Sequence, residues 1–182
     1  MLIQSHHSSS QSPEYALLGF LYRQPCHGYE LHQQFVTELG HVWHISQSQT
    51  YNILKRLETQ GYISTTTLEQ EKHPPRQLLH LTAAGRQRFD DWLTTPTASN
   101  ARAIRVEFIT RLYFANALAP QKAPKLLDVQ TTEIRANLTR LETILTSVPA
   151  AQTFNCLSLE LRMRQLRSVL EWLVECRAKL YG

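Results

Sequence analysis

Between His44 and Gly61 the chain reads HISQSQTYNILKRLETQG, a cluster of hydroxyls and amides followed by two adjacent cations, Lys55 and Arg56. Such a set can hydrogen-bond and pair charges. Short polar side chains and free backbone N–H groups at a helix start suit phosphates and base edges. Ser46, with Gln49 three residues on, fits a capping box, in which side chains satisfy the N–H groups of the first turn. At about 100° per residue, Thr50, Tyr51, Ile53, Leu54 and Leu57 share one face, and Ser48, Asn52, Lys55, Arg56 and Thr59 share the other. One side packs and the other stays polar. Taken without its surroundings, the polar side reads equally well as an ordinary solvated helix face.

Other chemistries have less to stand on. There is no glycine-rich phosphate loop, and no serine, histidine and acid set of the kind that makes a nucleophile, so the chain is not expected to be an enzyme. His41 and His44 lie three apart beside Trp43, but no cysteine or acid sits at fitting spacing, so no metal and no cofactor is expected. Cys26, Cys156 and Cys176 are scattered and unpaired in spacing, which points to a reducing, cytoplasmic setting. No apolar run approaches the ~18 residues that would cross a bilayer.

Length and charge bound the answer further. The chain has 182 residues and 42% hydrophobic residues, enough for one domain or two small ones with real cores. The net charge of +4 invites a polyanionic partner. However, only seven Lys/Arg stand against eight Asp/Glu up to Pro96, so the surplus lies in the second half. Nucleic-acid binding by the first half would rest on the placement of its cations rather than on bulk charge.

The elements that must position the polar cluster are readable around it. Residues 1–11 read as a disordered leader, and residues 12–95 and 96–182 as two domains. Ser12 and Pro13 open a helix through Leu17, Leu18 and Leu21. A second helix runs from Tyr29 to a stop at Gly40, and the third is the polar one, stopped by Gly61. Two extended runs follow, Tyr62–Thr67 and Arg76–Leu81, with a long hairpin tip between them. Thr82 caps a fourth helix through Phe89, Trp92 and Leu93. Three helices, a hairpin and a helix in this order make a winged helix-turn-helix. Beyond the linker Thr94–Asn100 only helix is expected. Leu127, Ile134, Leu141 and Val148, and later Leu159, Leu166, Leu173 and Leu180, recur every seven residues. Such stripes call for helical partners, either each other or a second chain. The fold class is therefore mainly α with a small β-hairpin wing.

The stretches YALLGFLYRQPCHGYEL (Tyr15–Leu31), TYNILKRLETQGYI (Thr50–Ile63) and LTAAGRQRF (Leu81–Phe89) resemble the winged-helix domain of the PadR family of bacterial transcriptional regulators. The helical remainder is similar in layout to the C-terminal domain of that family's longer, virulence-activator-like subgroup. The resemblance implies a homodimer that binds an inverted repeat in double-stranded DNA through the third helix. It also implies a repressor, with release by a small aromatic effector. The DNA-contacting residues would be Tyr29, Ser46, Ser48, Gln49, Thr50, Tyr51, Asn52, Lys55 and Arg56, with Lys72 and Arg76 from the wing. Gln49 and Asn52 suit adenine edges, and Lys55 or Arg56 suits guanine or phosphate. The dimer interface would take Trp92, Leu159, Met163, Leu166, Leu170 and Leu173. The wing departs from the family pattern: where Gly-Arg-Pro-Arg is common, His73-Pro74-Pro75-Arg76 stands here, without the glycine and one arginine. The acidic balance of the first half and this altered wing also suit a rival reading, a protein-interaction module whose winged helix no longer binds DNA.

Overall fold

The computed structural model describes residues 12–70 and 73–182, with the side chains of 68–70 and 73–76 left aside. The expected leader and Lys72 lie outside the described residues, and so does the side chain of Arg76. The chain divides into two compact units, residues 1–95 and 96–182.

The first unit runs α1 (Glu14–Arg23), β1 (Cys26–His27), α2 (Gly28–Leu39), α3 (Gln47–Thr59), β2 (Ile63–Gln70), β3 (His73–Leu81) and α4 (Ala83–Thr94). The strands form an antiparallel sheet in the order β1-β3-β2. Two details differ from the sequence reading. β1 was not expected, because two residues carry no readable alternation; Cys26 pairs with Leu79 and His27 with Leu78. The wing strands also run further toward the tip than expected, with Gln70 opposite His73 and an irregularity between Leu68 and Gln70.

The core of this unit follows from the helical stripes. Leu17, Leu18, Phe20, Leu31, Phe35, Leu57 and Phe89 are buried. Phe20 meets Phe35 edge-on at 6.4 Å, fastening α1 to α2. Trp92 is buried against Tyr15, their rings stacked 4.8 Å apart. The turn out of α3 uses Gly61 at φ 74°, which a β-carbon would strain. The Thr82 hydroxyl then locks that turn to α4, lying 2.7 Å from the Gly61 carbonyl and accepting the Gly85 N–H at 3.0 Å.

The second unit is helical. Asn100 caps its start, its side chain accepting the Ala103 N–H at 2.9 Å. α5 (Ala101–Ala103) runs through a π-helical turn (Ile104–Phe108) into α6 (Ile109–Leu118). A buried ion pair spans the junction: Glu107 and Arg111 are each 1% exposed and bonded at 2.5 Å. After a short 3-10 turn, α7 (Ala123–Ser147) and α8 (Thr153–Tyr181) form a hairpin. It is antiparallel, since Arg177 reaches Asp128 and Arg167 reaches Glu142.

Within the hairpin most of the seven-residue stripes are buried between the two helices. Leu127, Ile134, Leu138 and Leu141 of α7 are buried, as are Leu159, Met163, Leu166 and Leu173 of α8. Apart from Val148 and Leu180 at the stripe ends, the stripes close on each other within the unit. The residues expected at a dimer interface are thus used inside one chain, because a heptad stripe does not say whose helix it meets. Leu170 is half-buried, and Trp92 belongs to the core of the first unit. The first turns of α8 leave another stripe exposed, Phe154, Leu157 and Leu161, and Val174 and Leu180 are exposed further along.

A Cβ built at Gly61 meets nothing within 4 Å, so Gly61→Ala carries backbone strain alone. Urea unfolding should register a loss of about 1 kcal/mol with the m-value kept.

Candidate nucleic-acid interface

The start of α3 is built as its sequence indicates. The Ser46 hydroxyl accepts the Gln49 N–H at 3.2 Å, and the Gln49 side chain accepts the Ser46 N–H at 2.8 Å. Ile53, Leu54 and Leu57 pack beneath the helix, while Ser48, Asn52, Lys55 and Thr59 are exposed. These exposed residues form a continuous polar ridge.

Three candidates need separate treatment. Thr50 is fully buried, its hydroxyl 2.8 Å from Nδ1 of His32 and 3.2 Å from the Ser46 carbonyl. It ties α2 to α3 and does not reach the surface, so its place among the DNA contacts is corrected. Tyr51 was assigned to the packed face, yet it is 45% exposed. Arg56 does not simply extend from the solvated face: its guanidinium donates at 2.8 Å to Glu14, a carboxylate buried at the start of α1. The two adjacent cations of α3 therefore have different surroundings, Lys55 facing a groove and Arg56 turned back toward α1.

The groove beside α3 has a volume of about 1000 Å³ and is walled by the start of α2, the exposed flank of α3 and the base of the wing. Tyr29, Tyr51, Asn52 and Lys55 line it, and Tyr29 is 57% exposed. Its architecture turns on Gly28. A Cβ built there would stand 2.9 Å from Cε1 of Tyr51, so the ring lies directly against the glycine. Both tyrosines are thereby held at one mouth. The start of α2 is pinned as well: Glu30 accepts the His27 N–H at 3.2 Å, and the His27 ring bonds the Gln77 carbonyl of β3 at 2.8 Å.

Electrostatics here are mixed. Glu30 and Glu58 line the same groove as Lys55, and each is engaged locally, Glu58 accepting the Thr65 hydroxyl at 2.5 Å. A ligand in this groove would be held by shape and hydrogen bonds as much as by charge. Cys26 lies behind the α2 start, and burial, with a smaller effect from Glu30, pushes its thiol up to about 11. A thiol so placed stays protonated near neutrality and is a poor nucleophile. Among the described residues no group of three His, Cys, Asp or Glu could hold a metal ion, and no helix is long and apolar enough to cross a membrane.

Sequence reasoning found the ridge and the two tyrosines. It missed Glu14, whose role depends on arginines far along the chain, and the Gly28–Tyr51 contact, for which HGY alone was the available signal.

A polar-faced helix seated on a three-helix core, with a hairpin beside it, is the DNA-reading arrangement of winged helix-turn-helix regulators. The sequence matches the transcriptional regulator PadR-like family over residues 17–91 and the virulence activator alpha C-terminal family over residues 104–181. It is 32% identical over 129 residues to the negative transcriptional regulator PadR of Bacillus subtilis, spanning 71% of this chain and 70% of that one. The chain belongs to the PadR-like family of transcriptional regulators, whose members are not enzymes. Among solved structures, Bacillus subtilis PadR in complex with operator DNA is 27% identical, covering 91% of this chain and 96% of that one at a TM-score of 0.44. The same protein in complex with p-coumaric acid is 26% identical, covering 96% and 98% at a TM-score of 0.41.

Iodoacetamide at pH 8 should leave Cys26 unmodified in the native protein and alkylate it in denaturant, read by peptide mass spectrometry. The sign follows from the raised pKa: the thiolate fraction at pH 8 is about a thousandfold below unity while the fold persists.

Proposed function

We propose that this protein is a homodimeric repressor that binds an inverted-repeat operator, each protomer placing α3 in a major groove. The observation that carries this reading is the solvated ridge of Ser48, Asn52, Lys55 and Thr59, flanked by the groove that exposes Tyr29 and Tyr51. Asn52 has the donor and acceptor pair that an adenine edge requires, and Lys55 suits guanine or phosphate. Ser46, Ser48 and Gln49 stand at the helix start, where backbone N–H groups favour phosphate. Repression is supported by the relative's name as a negative regulator. The complex of that relative with p-coumaric acid is the ground for proposing a small aromatic effector. Arg76 and Lys72 remain wing candidates on the sequence alone.

The dimer surface we propose is revised from the buried stripe to the exposed one. Phe154, Leu157 and Leu161 follow the i, i+3, i+7 spacing of a helix face and are 86%, 53% and 57% exposed. A second copy of α8 would cover them. Leu161→Asp should shift the protein toward monomer in analytical ultracentrifugation and weaken operator binding with it. An unchanged dimer would move the interface elsewhere.

Anisotropy titration against DNA upstream of its own gene, with salt varied, tests the main reading. Wild type should bind this DNA far more tightly than random duplex. Lys55→Ala should weaken binding to both and reduce the salt slope by about 0.9 if Lys55 meets phosphate. If it reads a base, the variant should relax preference at one position instead. Binding no tighter than to random DNA would favour the protein-interaction reading.

A further inference from the structure

The buried carboxylate of Glu14 has more cationic partners than its neutralisation requires. Its side chain is 2% exposed, and its two oxygens accept from two arginines, Arg88 of α4 at 2.5 Å and Arg56 of α3 at 2.8 Å. Arg88 is itself enclosed. Its side chain is 19% exposed, it donates to the Tyr62 hydroxyl at 3.0 Å, and its guanidinium lies 4.4 Å from the Tyr62 ring centre. One enclosed arginine balances one buried carboxylate. Arg56 adds a second positive charge, and its side chain remains 50% exposed. The cluster therefore carries net positive charge, and Arg56 presents it at the surface beside α3.

We propose that Glu14 is a positioning residue for DNA binding, acting through Arg56; this rests on the role proposed above for α3. Glu14 holds one edge of the Arg56 guanidinium and leaves the rest of the fork to solvent. Arg56 and Lys55, adjacent on α3, project toward opposite flanks of the ridge, Lys55 to the groove and Arg56 to the α1 side. Two cations straddling a helix that enters a groove meet the phosphates on either side of it. A guanidinium fork already held in one orientation loses less freedom on meeting phosphate than a mobile one, and its planar donors match phosphate oxygens in pairs. Arg88 keeps the carboxylate ionised and oriented, and the carboxylate aims Arg56.

The test uses the full-length chain, DNA from upstream of its gene and a random duplex of equal length, with salt varied. The variants are Glu14→Gln, which keeps shape and removes charge, Arg56→Gln, Arg56→Lys and the Glu14→Gln/Arg56→Gln double. Arg56→Gln should weaken binding to both duplexes and reduce the salt slope by about 0.9, the signature of one lost phosphate. Glu14→Gln should weaken binding about tenfold with the slope kept, because the cation remains but is no longer aimed. The double variant should bind no worse than Arg56→Gln alone. Arg56→Lys should keep the slope and lose part of the affinity. Melting temperature, followed by circular dichroism, separates this from a structural role. If the variants lower the melting temperature yet leave affinity and slope unchanged well below it, or if the two losses add in the double variant, the proposal is overturned. Should Glu14→Gln fail to fold, Glu14→Asp takes its place, drawing the carboxylate back from Arg56 with its charge kept; affinity unchanged in that variant overturns the proposal. Wild-type protein without salt-dependent binding would overturn the operator reading itself, before any variant is compared.

Discussion

Burying a carboxylate is costly unless its charge is met, and the first unit is arranged around that requirement at Glu14. Removing one partner of a buried pair leaves an uncompensated charge and costs roughly 3–5 kcal/mol, whereas an exposed pair is worth little. Glu14 belongs to the first class, being 1% exposed as a residue. It lies in the first turn of α1, where a negative charge also suits the helix dipole. Arg88 comes from α4 and Arg56 from α3, so one charge ties together three helices that are distant in sequence. Tyr15, next to Glu14, stacks on Trp92, one turn beyond Arg88, so apolar packing and the ion cluster hold the same two helices. The tilt of α3 over the core is thereby set from its α1 flank by charge and from beneath by Ile53, Leu54 and Leu57.

The other flank of α3 is set by a different kind of force. Gly28 and Tyr51 meet by shape, and the capping of α2 against β3 through His27 holds that contact in register. On the groove side the carboxylates are engaged by a backbone N–H and a threonine hydroxyl. The charge distribution of the whole chain agrees with this division. Twelve of the nineteen Lys/Arg residues lie after residue 96, and the DNA-facing unit has only a few cations to place. Where charge is scarce, the direction in which each cation points matters more than the total.

Much of this was legible in the sequence, and the parts that were not share a cause. The capping box at Ser46, the glycine turn at Gly61 and the Thr82 cap are local devices, and local devices are written in adjacent residues. The exposed ridge followed from helical spacing alone. The surroundings of Arg56 and Thr50 were not legible because their partners, Glu14 and His32, lie 42 and 18 residues away, and spacing within one helix carries no record of them. Tyr51 was placed on the packed side because an aromatic ring at that angle commonly packs; here it does pack, but against a glycine at the rim, and it stays half open. On α8 the periodicity was legible, while the choice between α7 and a second chain as its partner was not. That helix has apolar residues on more than one side, and the more regular stripe faces α7.

The Gly28–Tyr51 contact leaves the mouth of the groove adjustable. A Cβ at position 28 would press on the far end of the half-exposed Tyr51 ring, so the ring rather than the backbone would give way. The bulk at position 28 thus sets how far that ring stands over the groove.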